Sequence, residues 1–275
     1  VFAKVRERLG GNLKYAFSGG AALSNEVARF IDNLNILVYE GYGLSETSPI
    51  MTANYPEHRK IGSVGTPIPG VTVKIDTSVP GSEHGMGEII NYGPNTMMGY
   101  YNKREETAAV MTPDGGFRTG DLGRMDEDGY LYITGRVKEQ YKLENGKYVA
   151  PAPLEEKLLL SPYIAQAMIF GDNHLYNVAV LVPDFTALRE WARPHGLSAS
   201  SPEELCRNEK VRALFTAEIE KFTADWKHYE KPKAFLLLPE DWTVANDMLT
   251  PTLKLKRRNV VKKFQSEIDR LYQRA

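Results

Sequence analysis

Four stretches of this 275-residue chain carry residue types and spacings suited to chemistry. The first is a pair, Ser18-Gly19-Gly20-Ala21 and Glu40-Gly41-Tyr42-Gly43-Leu44-Ser45-Glu46-Thr47. Glycines after strands let backbone N–H groups approach a flat or anionic ligand with no Cβ in the way. Tyr42 beside them can stack on a purine. Ser45 can donate to a phosphate oxygen, and Glu46 offers a hard oxygen to Mg²⁺. The same residues also suit two tight turns and a helix start at Ser45. In Phe117-Arg118-Thr119-Gly120-Asp121, a buried Asp121 would accept hydrogen bonds from the two hydroxyls of a ribose; in a β-turn it would be an ordinary turn residue. In Gly135-Arg136-Val137-Lys138-Glu139, Arg136 is a forked, permanently charged donor for ribose or phosphate, and Lys138 stands where a hinge would fall. The alternative is a charged strand end in solvent. Leu249-Thr250-Pro251-Thr252-Leu253-Lys254-Leu255-Lys256-Arg257-Arg258 is either a solvated basic helix start or a loop that delivers one lysine to an active site.

The elements that must position these groups fall into three textures. Leu13 to Ser18 reads as a strand running into Ser18-Gly19-Gly20-Ala21-Ala22. Ser24 caps a helix with Glu26 in its first turn and an apolar face of Val27, Phe30, Ile31 and Leu34. Ile36 to Glu40 is a second strand, ending in Gly41-Tyr42-Gly43. Strand, glycine loop, helix, strand is the pattern expected of a ligand-binding edge of a parallel sheet. Val1, Val5 and Leu9 recur at helical intervals before it, as in a helix already under way. From Ile61 short β runs (Val71 to Ile75, Gly87 to Tyr92, Tyr130 to Ile133) alternate with Gly/Pro/Asp turns, with a helix over Lys103 to Met111 and a hairpin turn at Asp126 to Gly129. A small antiparallel sheet or barrel is expected there. Beyond a boundary near Val137 lies an α+β module. Its strands are Ala165 to Phe170 and Val178 to Val182, and its helices Pro153 to Leu160, Val211 to Trp226 and Asn259 to Tyr272.

Composition excludes several classes. Lys+Arg 34 against Asp+Glu 35 gives no reason to expect nucleic acid as a partner. One cysteine, Cys206, forbids an internal disulfide, argues against a Cys/His metal cluster and points to a reducing, cytoplasmic compartment. No apolar run approaches the roughly 20 residues of a membrane-spanning helix, and the N-terminus has neither a signal-peptide pattern nor an initiator methionine.

The four stretches, in this order, resemble the adenylate-forming superfamily of acyl-CoA synthetases, firefly luciferase and peptide-synthetase adenylation domains, over essentially the whole chain. The likeness is nearest to the long-chain fatty acyl-CoA synthetases, carried by Glu40 to Pro49, Lys142 to Pro151 and Leu249 to Lys254. It implies a multi-domain α/β and α+β protein. Residues 1–60 would be the C-terminal piece of an AMP-binding α/β subdomain, 61–136 a β-barrel-like subdomain, and 137–275 a mobile α+β lid. Gly19, Gly20, Ala21, Glu40, Gly41, Tyr42 and Gly43 would line the adenine pocket, with Tyr42 stacked on the base. Ser45, where threonine is usual, would touch the α-phosphate, Glu46 would hold Mg²⁺, and Asp121 and Arg136 would take the ribose. Lys138 would be the hinge. Lys254, preceded by Leu253 where many members have glycine, would serve adenylation, and the loop of Gly146 would border the pantetheine path. The family's phosphate loop and most of its acyl pocket are expected upstream of residue 1.

The implied reaction converts a fatty acid and ATP to acyl-AMP, then to acyl-CoA, with ATP/AMP, Mg²⁺ and coenzyme A bound and no Ser-His-Asp or Cys-His nucleophile. Rotation about Lys138 would exchange Lys254 for the Gly146 loop between the half-reactions. The alternatives are a ligase for another carboxylic acid and a non-catalytic nucleotide-binding fragment. Peripheral membrane contact is compatible with the sequence, and self-association of the isolated chain through an exposed sheet edge is expected.

Overall fold

The computed structural model describes residues 2–21, 23–82, 85–197 and 200–273. Val1 and Ala22, which entered the readings of the first helix and the first glycine turn, lie outside them. The chain divides into two compact units, Val1–Lys138 and Glu139–Ala275.

The first unit begins with α1 (Phe2–Arg8), β1 (Tyr15–Ser18), α2 (Asn25–Asn33), β2 (Leu37–Gly43), β3 (Ile50–Ala53) and β4 (Thr66–Pro67). The strands form one sheet in the order β1-β2-β3-β4, parallel between β1 and β2 and antiparallel after that. Parallel neighbours need a crossover, and α2 is it. Ser24 caps α2 by accepting from the Val27 amide at 3.2 Å. The apolar face read from its periodicity is only partly buried. Leu34 is in the core, but Val27 is 41% and Phe30 54% exposed. Phe17 on β1 is 73% exposed as well, although a parallel strand pair ordinarily has both faces covered. The glycines after Glu40 are not a loop, as the sequence suggested. Strand β2 runs through Gly41-Tyr42-Gly43, pairing Gly41 with Ala53 and Tyr42 with Thr52.

The second sheet of this unit comprises β5 (Thr72–Asp76), β6 (Gly87–Tyr92), β7 (Phe117–Met125) and β8 (Leu131–Arg136), with α3 (Arg104–Val110) between β6 and β7. It is an antiparallel meander in the order β5-β6-β7-β8. The ends β5 and β8 do not pair, so the sheet is open and the barrel-like expectation is corrected. Met51, Val73, Ile89 and Leu131 are buried together, with Tyr42 and Leu44 packed against them, and tie the two sheets.

The second unit opens with the hairpin of β9 (Tyr141–Lys142) and β10 (Tyr148–Val149), followed by α4 (Pro151–Leu158). A three-stranded sheet joins β11 (Ile164–Phe170), β12 (Asn177–Pro183) and β13 (Pro232–Leu237), the last parallel to β12. Alternation along the fully buried β12 builds two cores. Ala179 and Leu181 face α5 (Phe185–Ala192), α6 (Pro202–Arg207) and α7 (Glu209–Phe222). Val178, Val180 and Val182 face α8 (Arg257–Lys263) and α9 (Gln265–Gln273). The single terminal helix expected over Asn259 to Tyr272 is therefore two helices, broken at Phe264. No proline or glycine marks the break; Val260, Phe264 and Ile268 all pack on the same cluster, which decides the local geometry. Among the described residues no helix is long and apolar enough to cross a membrane.

Candidate functional site

The two glycine stretches lie side by side. Ser18 pairs with Glu40, and a Cβ on Gly19 would come within 3.3 Å of the Gly41 carbonyl oxygen. Gly20 is left-handed at φ +84°, a conformation other residues adopt at a cost. At Gly43 a Cβ would sit 1.8 Å from the Pro49 carbonyl oxygen, so the strand can close onto the following turn only with glycine there. The helix start read at Ser45 is one 3₁₀ turn, Ser45–Thr47. Thr47, fully buried, fastens it: its hydroxyl accepts from the Leu44 amide at 2.9 Å and lies 2.7 Å from the Pro49 carbonyl oxygen to which it donates. Ser45 is left exposed, and Glu46 Oε1 accepts from the Tyr100 hydroxyl at 2.9 Å.

Asp121 is the centre of the second group. It is a buried residue of β7, not a turn residue, and both of its carboxylate oxygens are engaged. Tyr42 donates its hydroxyl to Oδ2 at 2.6 Å, and Arg136 Nε donates to Oδ1 at 2.9 Å. Burial, and then the Asp121 charge, hold the Tyr42 phenol far above its ordinary value, so it stays a neutral donor throughout the physiological range. Each carboxylate oxygen keeps a further lone pair for an incoming hydroxyl. Sequence reasoning assigned Tyr42 a ring role and missed its hydroxyl.

A bulge aims Asp121. On β6 and β7, Ile90 pairs with Arg118 and Glu88 with Leu122, so Ile89 alone stands opposite Thr119, Gly120 and Asp121. Side chains replace the missing ladder bonds. Thr119 Oγ1 donates to the Ile89 carbonyl at 2.8 Å and accepts from the Asp121 amide at 3.1 Å. The amide of Gly120, whose φ is +72°, donates to Glu88 Oε1 at 3.1 Å. Glu88 Oε2 in turn accepts from Arg118 at 2.6 Å. Asp121 thereby comes into register with Arg136 on β8, the re-aiming for which bulges are used. Glu40 behaves differently. Burial raises its carboxyl, offset in part by a hydrogen bond from the Gly62 backbone and by the charge of Arg59. Its backbone carbonyl accepts from the Asn54 amide at 2.8 Å and from Asn54 Nδ2 at 3.3 Å, so main chain and side chain alike brace the strand.

Lys138, exposed in the turn after β8, is the last residue of the first unit. In the second unit Gly146, at φ +85°, forms the tip of the β9–β10 hairpin, with its amide donating to the Leu143 carbonyl at 2.9 Å. Lys254 lies in a separate loop closed by a Leu249–Leu255 bridge. Its amide donates to Thr250 Oγ1 at 3.0 Å, and its carbonyl accepts from the Thr250 amide at 2.8 Å. Leu253, just before it, is left-handed at φ +61° and 70% exposed. Leu253→Gly is thus expected to relieve strain of about 1–2 kcal/mol. Set against a glycine entropy cost of roughly 0.5–1 kcal/mol, this leaves a net gain of about 0 to 1.5 kcal/mol. Trp191, Trp226 and Trp242 all lie in the second unit, so the urea midpoint of tryptophan fluorescence reports it; a lowered midpoint would contradict the strain.

A glycine turn at the end of a parallel strand pair, next to a buried carboxylate bonded to a phenol and a guanidinium, is an arrangement that suits a nucleotide in an α/β protein. Comparison with known proteins narrows it: residues 2–101 match the AMP-binding enzyme family and residues 138–275 its C-terminal domain, and the chain belongs to that family. It is 38% identical over 273 residues to the long-chain-fatty-acid–CoA ligase FadD15 of Mycobacterium bovis, covering 99% of this chain and 44% of that protein. To the human long-chain-fatty-acid–CoA ligase 1 it is 34% identical over 280 residues, covering 99% and 40%. The chain therefore spans less than half the length of these relatives. The adenylation domain of a carboxylate reductase from Mycobacterium chelonae superposes with a TM-score of 0.79 at 27% identity, over 98% of this chain and 41% of that one. The A domain of the Segniliparus rugosus carboxylic acid reductase, solved with AMP and a co-purified carboxylic acid, superposes at 0.78 and 25% identity, over 99% and 41%.

Proposed function

We propose that the chain is the nucleotide-binding and C-terminal portion of an AMP-forming acid–CoA ligase acting on a long-chain fatty acid. The observation that carries this is the Tyr42–Asp121–Arg136 assembly, which offers a charged, oriented acceptor to the hydroxyls of a ribose. Similarity to fatty-acid ligases on one side and to adenylation domains of carboxylate reductases on the other supports the adenylation half as the common chemistry.

In this reading Gly19, Gly20, Ala21, Gly41 and Gly43 admit the nucleotide to the backbone, Asp121 and Arg136 hold its ribose, and the exposed Ser45 donates to an α-phosphate oxygen. Glu46 suits Mg²⁺: its carboxylate is oriented by Tyr100, and Mg²⁺ is commonly held by one or two carboxylates together with phosphate and water. When bound, the ion would neutralise charge on the phosphates. Lys254 balances the charge of the reacting carboxylate and α-phosphate, and the Gly146 loop serves the attack of CoA thiolate on the acyl carbonyl, with AMP leaving. Lys138 is the hinge between the two halves. Positioning and charge compensation do the work, and no covalent enzyme intermediate is required.

The complete protein, given ATP, Mg²⁺, CoA and radiolabelled long-chain fatty acids, is expected to form acyl-CoA with AMP as the nucleotide product. ADP as product, or no thioester with any acid, would overturn the reading. The 275-residue chain alone is expected to form none, because no phosphate loop is found in it. Its exposed Phe17, Val27 and Phe30 beside edge strand β1 are expected to make its mass concentration-dependent in sedimentation. Turnover above a no-enzyme control, or a monomer at all concentrations, would contradict these two expectations in turn.

A further inference from the structure

We propose that Arg257 and Glu155 form a clamp that positions Lys254 for the adenylation half-reaction; this rests on the reading of Lys254 given above. Arg257 is the first residue of α8, three positions beyond Lys254. Its Nη1 donates to Glu155 Oε1 at 2.6 Å and to the Ile169 carbonyl at 3.0 Å, and its Nη2 donates to Glu155 Oε2 at 2.9 Å. The Ile169 amide donates to the same Oε1 at 2.6 Å. One guanidinium thus ties the root of the lysine loop to α4 and to the buried strand β11. The other side of the loop is tied by the Lys256 amide on the Met248 carbonyl at 2.8 Å and by the Asn259 amide group on the Asp247 carbonyl at 2.7 Å.

The tip contrasts with this root. Pro251, Thr252, Leu253 and Lys254 are exposed, and the hydrogen bonds of the tip run back to Thr250. The root therefore sets where the Lys254 backbone stands, and with it the point from which its side chain reaches out. A buried, two-pronged ion pair contributes little net stability compared with apolar residues of the same size, because desolvation offsets the attraction. What it does provide is fixed geometry, and a displacement near 1 Å is enough to cost a positioned reaction about 100-fold.

The test uses the complete protein and two variants. Arg257→Lys keeps the charge and loses the fork. The double variant Glu155→Gln with Arg257→Met removes both charges while Gln still accepts from the Ile169 amide, which protects the fold. Acyl-AMP formation from ATP and acyl-CoA formation from supplied acyl-AMP are measured separately in single turnovers, with tryptophan fluorescence as the folding control. Both variants are expected to slow adenylation about 10- to 100-fold with KM for ATP unchanged. Thioester formation from acyl-AMP should stay within about 2-fold. Parallel loss of both half-reactions would mean a structural pair and overturn the proposal, as would unchanged adenylation. Lys254→Ala is run beside them. If it spares adenylation, the reading of Lys254 falls and the clamp with it; if it abolishes adenylation while Arg257→Lys does not, the clamp alone falls.

Discussion

In the complete protein, Lys254→Ala is expected to slow acyl-AMP formation from ATP by roughly 100- to 1,000-fold, the loss typical of one preorganised charge-stabilising donor. Conversion of supplied acyl-AMP to acyl-CoA should continue. The asymmetry follows from where the charge develops. An ammonium facing the carboxylate and α-phosphate counts only while those two groups meet, and an interaction made in that transition state alone cannot be missed in the other half-reaction. Gly146→Leu is expected to do the reverse, accumulating acyl-AMP and slowing its capture by CoA. Gly146 needs a control, because at φ +85° any L-residue carries about 1–2 kcal/mol of strain. Gly146→Ala carries the same strain with little bulk. Among the described residues, chain neighbours aside, the nearest atom to a Cβ there is Lys142 Cε, at 3.9 Å, so the extra bulk of leucine is tolerated by the hairpin itself. A difference between Leu and Ala then reports obstruction of the thiol path. Lys138→Pro should resemble Gly146→Leu, since a fixed φ restrains a hinge. Equal impairment of both half-reactions by Lys254→Ala would return Lys254 to a general binding charge.

The parts of the fold legible in the sequence are those where local pattern and tertiary burial agree. Gly87–Tyr92 is a short β run between turn residues, Ile164–Phe170 and Asn177–Pro183 are built on apolar runs, and each is a strand with few exposed positions. Strand β7 was hidden because Phe117–Met125 contains Gly120, Gly123 and four charged or polar side chains that read as a turn. Pairing with β6 on one side and β8 on the other overrides that reading, and the glycine at φ +72° is the bulge itself. In α2 the periodicity was right and the burial wrong. A 3.6-residue pattern states which side of a helix is apolar; whether another element covers that side is not a local property. The site divides the same way. Residue types and order pointed to Asp121, Arg136 and Tyr42, but the bond between Tyr42 and Asp121 joins positions 79 residues apart, and nothing local to either announces it. The Arg257–Glu155 pair, 102 residues apart, was invisible for the same reason.

Asp121→Ala in the complete protein is expected to weaken AMP and ATP binding by about 2–5 kcal/mol, the usual cost of truncating one partner of a buried, charge-assisted hydrogen bond. At 1.4 kcal/mol per decade this is roughly 30- to 4,000-fold in Kd. The fold should survive. Arg136 is nearly half exposed, with 47% of its side chain accessible, and stays solvated; the Tyr42 hydroxyl gains access to water through the space the carboxylate leaves. Asp121→Asn separates charge from shape. Its amide can still accept from Arg136 Nε through Oδ1, and its Nδ2 can donate to Tyr42, whose hydroxyl then becomes an acceptor. The network is kept and the anionic acceptor for the ribose is lost, so Asn should sit between wild type and Ala in affinity with an unchanged unfolding transition. Tyr42→Phe removes one neutral-donor bond and keeps the ring, a loss of about 0.5–1.5 kcal/mol, or roughly 2- to 12-fold. If Tyr42 served only by stacking, Tyr42→Phe would leave affinity unaltered. Titration calorimetry with AMP orders the three variants. Unchanged affinity in Asp121→Ala would make the Tyr42–Asp121–Arg136 assembly a structural brace between β2, β7 and β8, and the nucleotide would have to be held elsewhere.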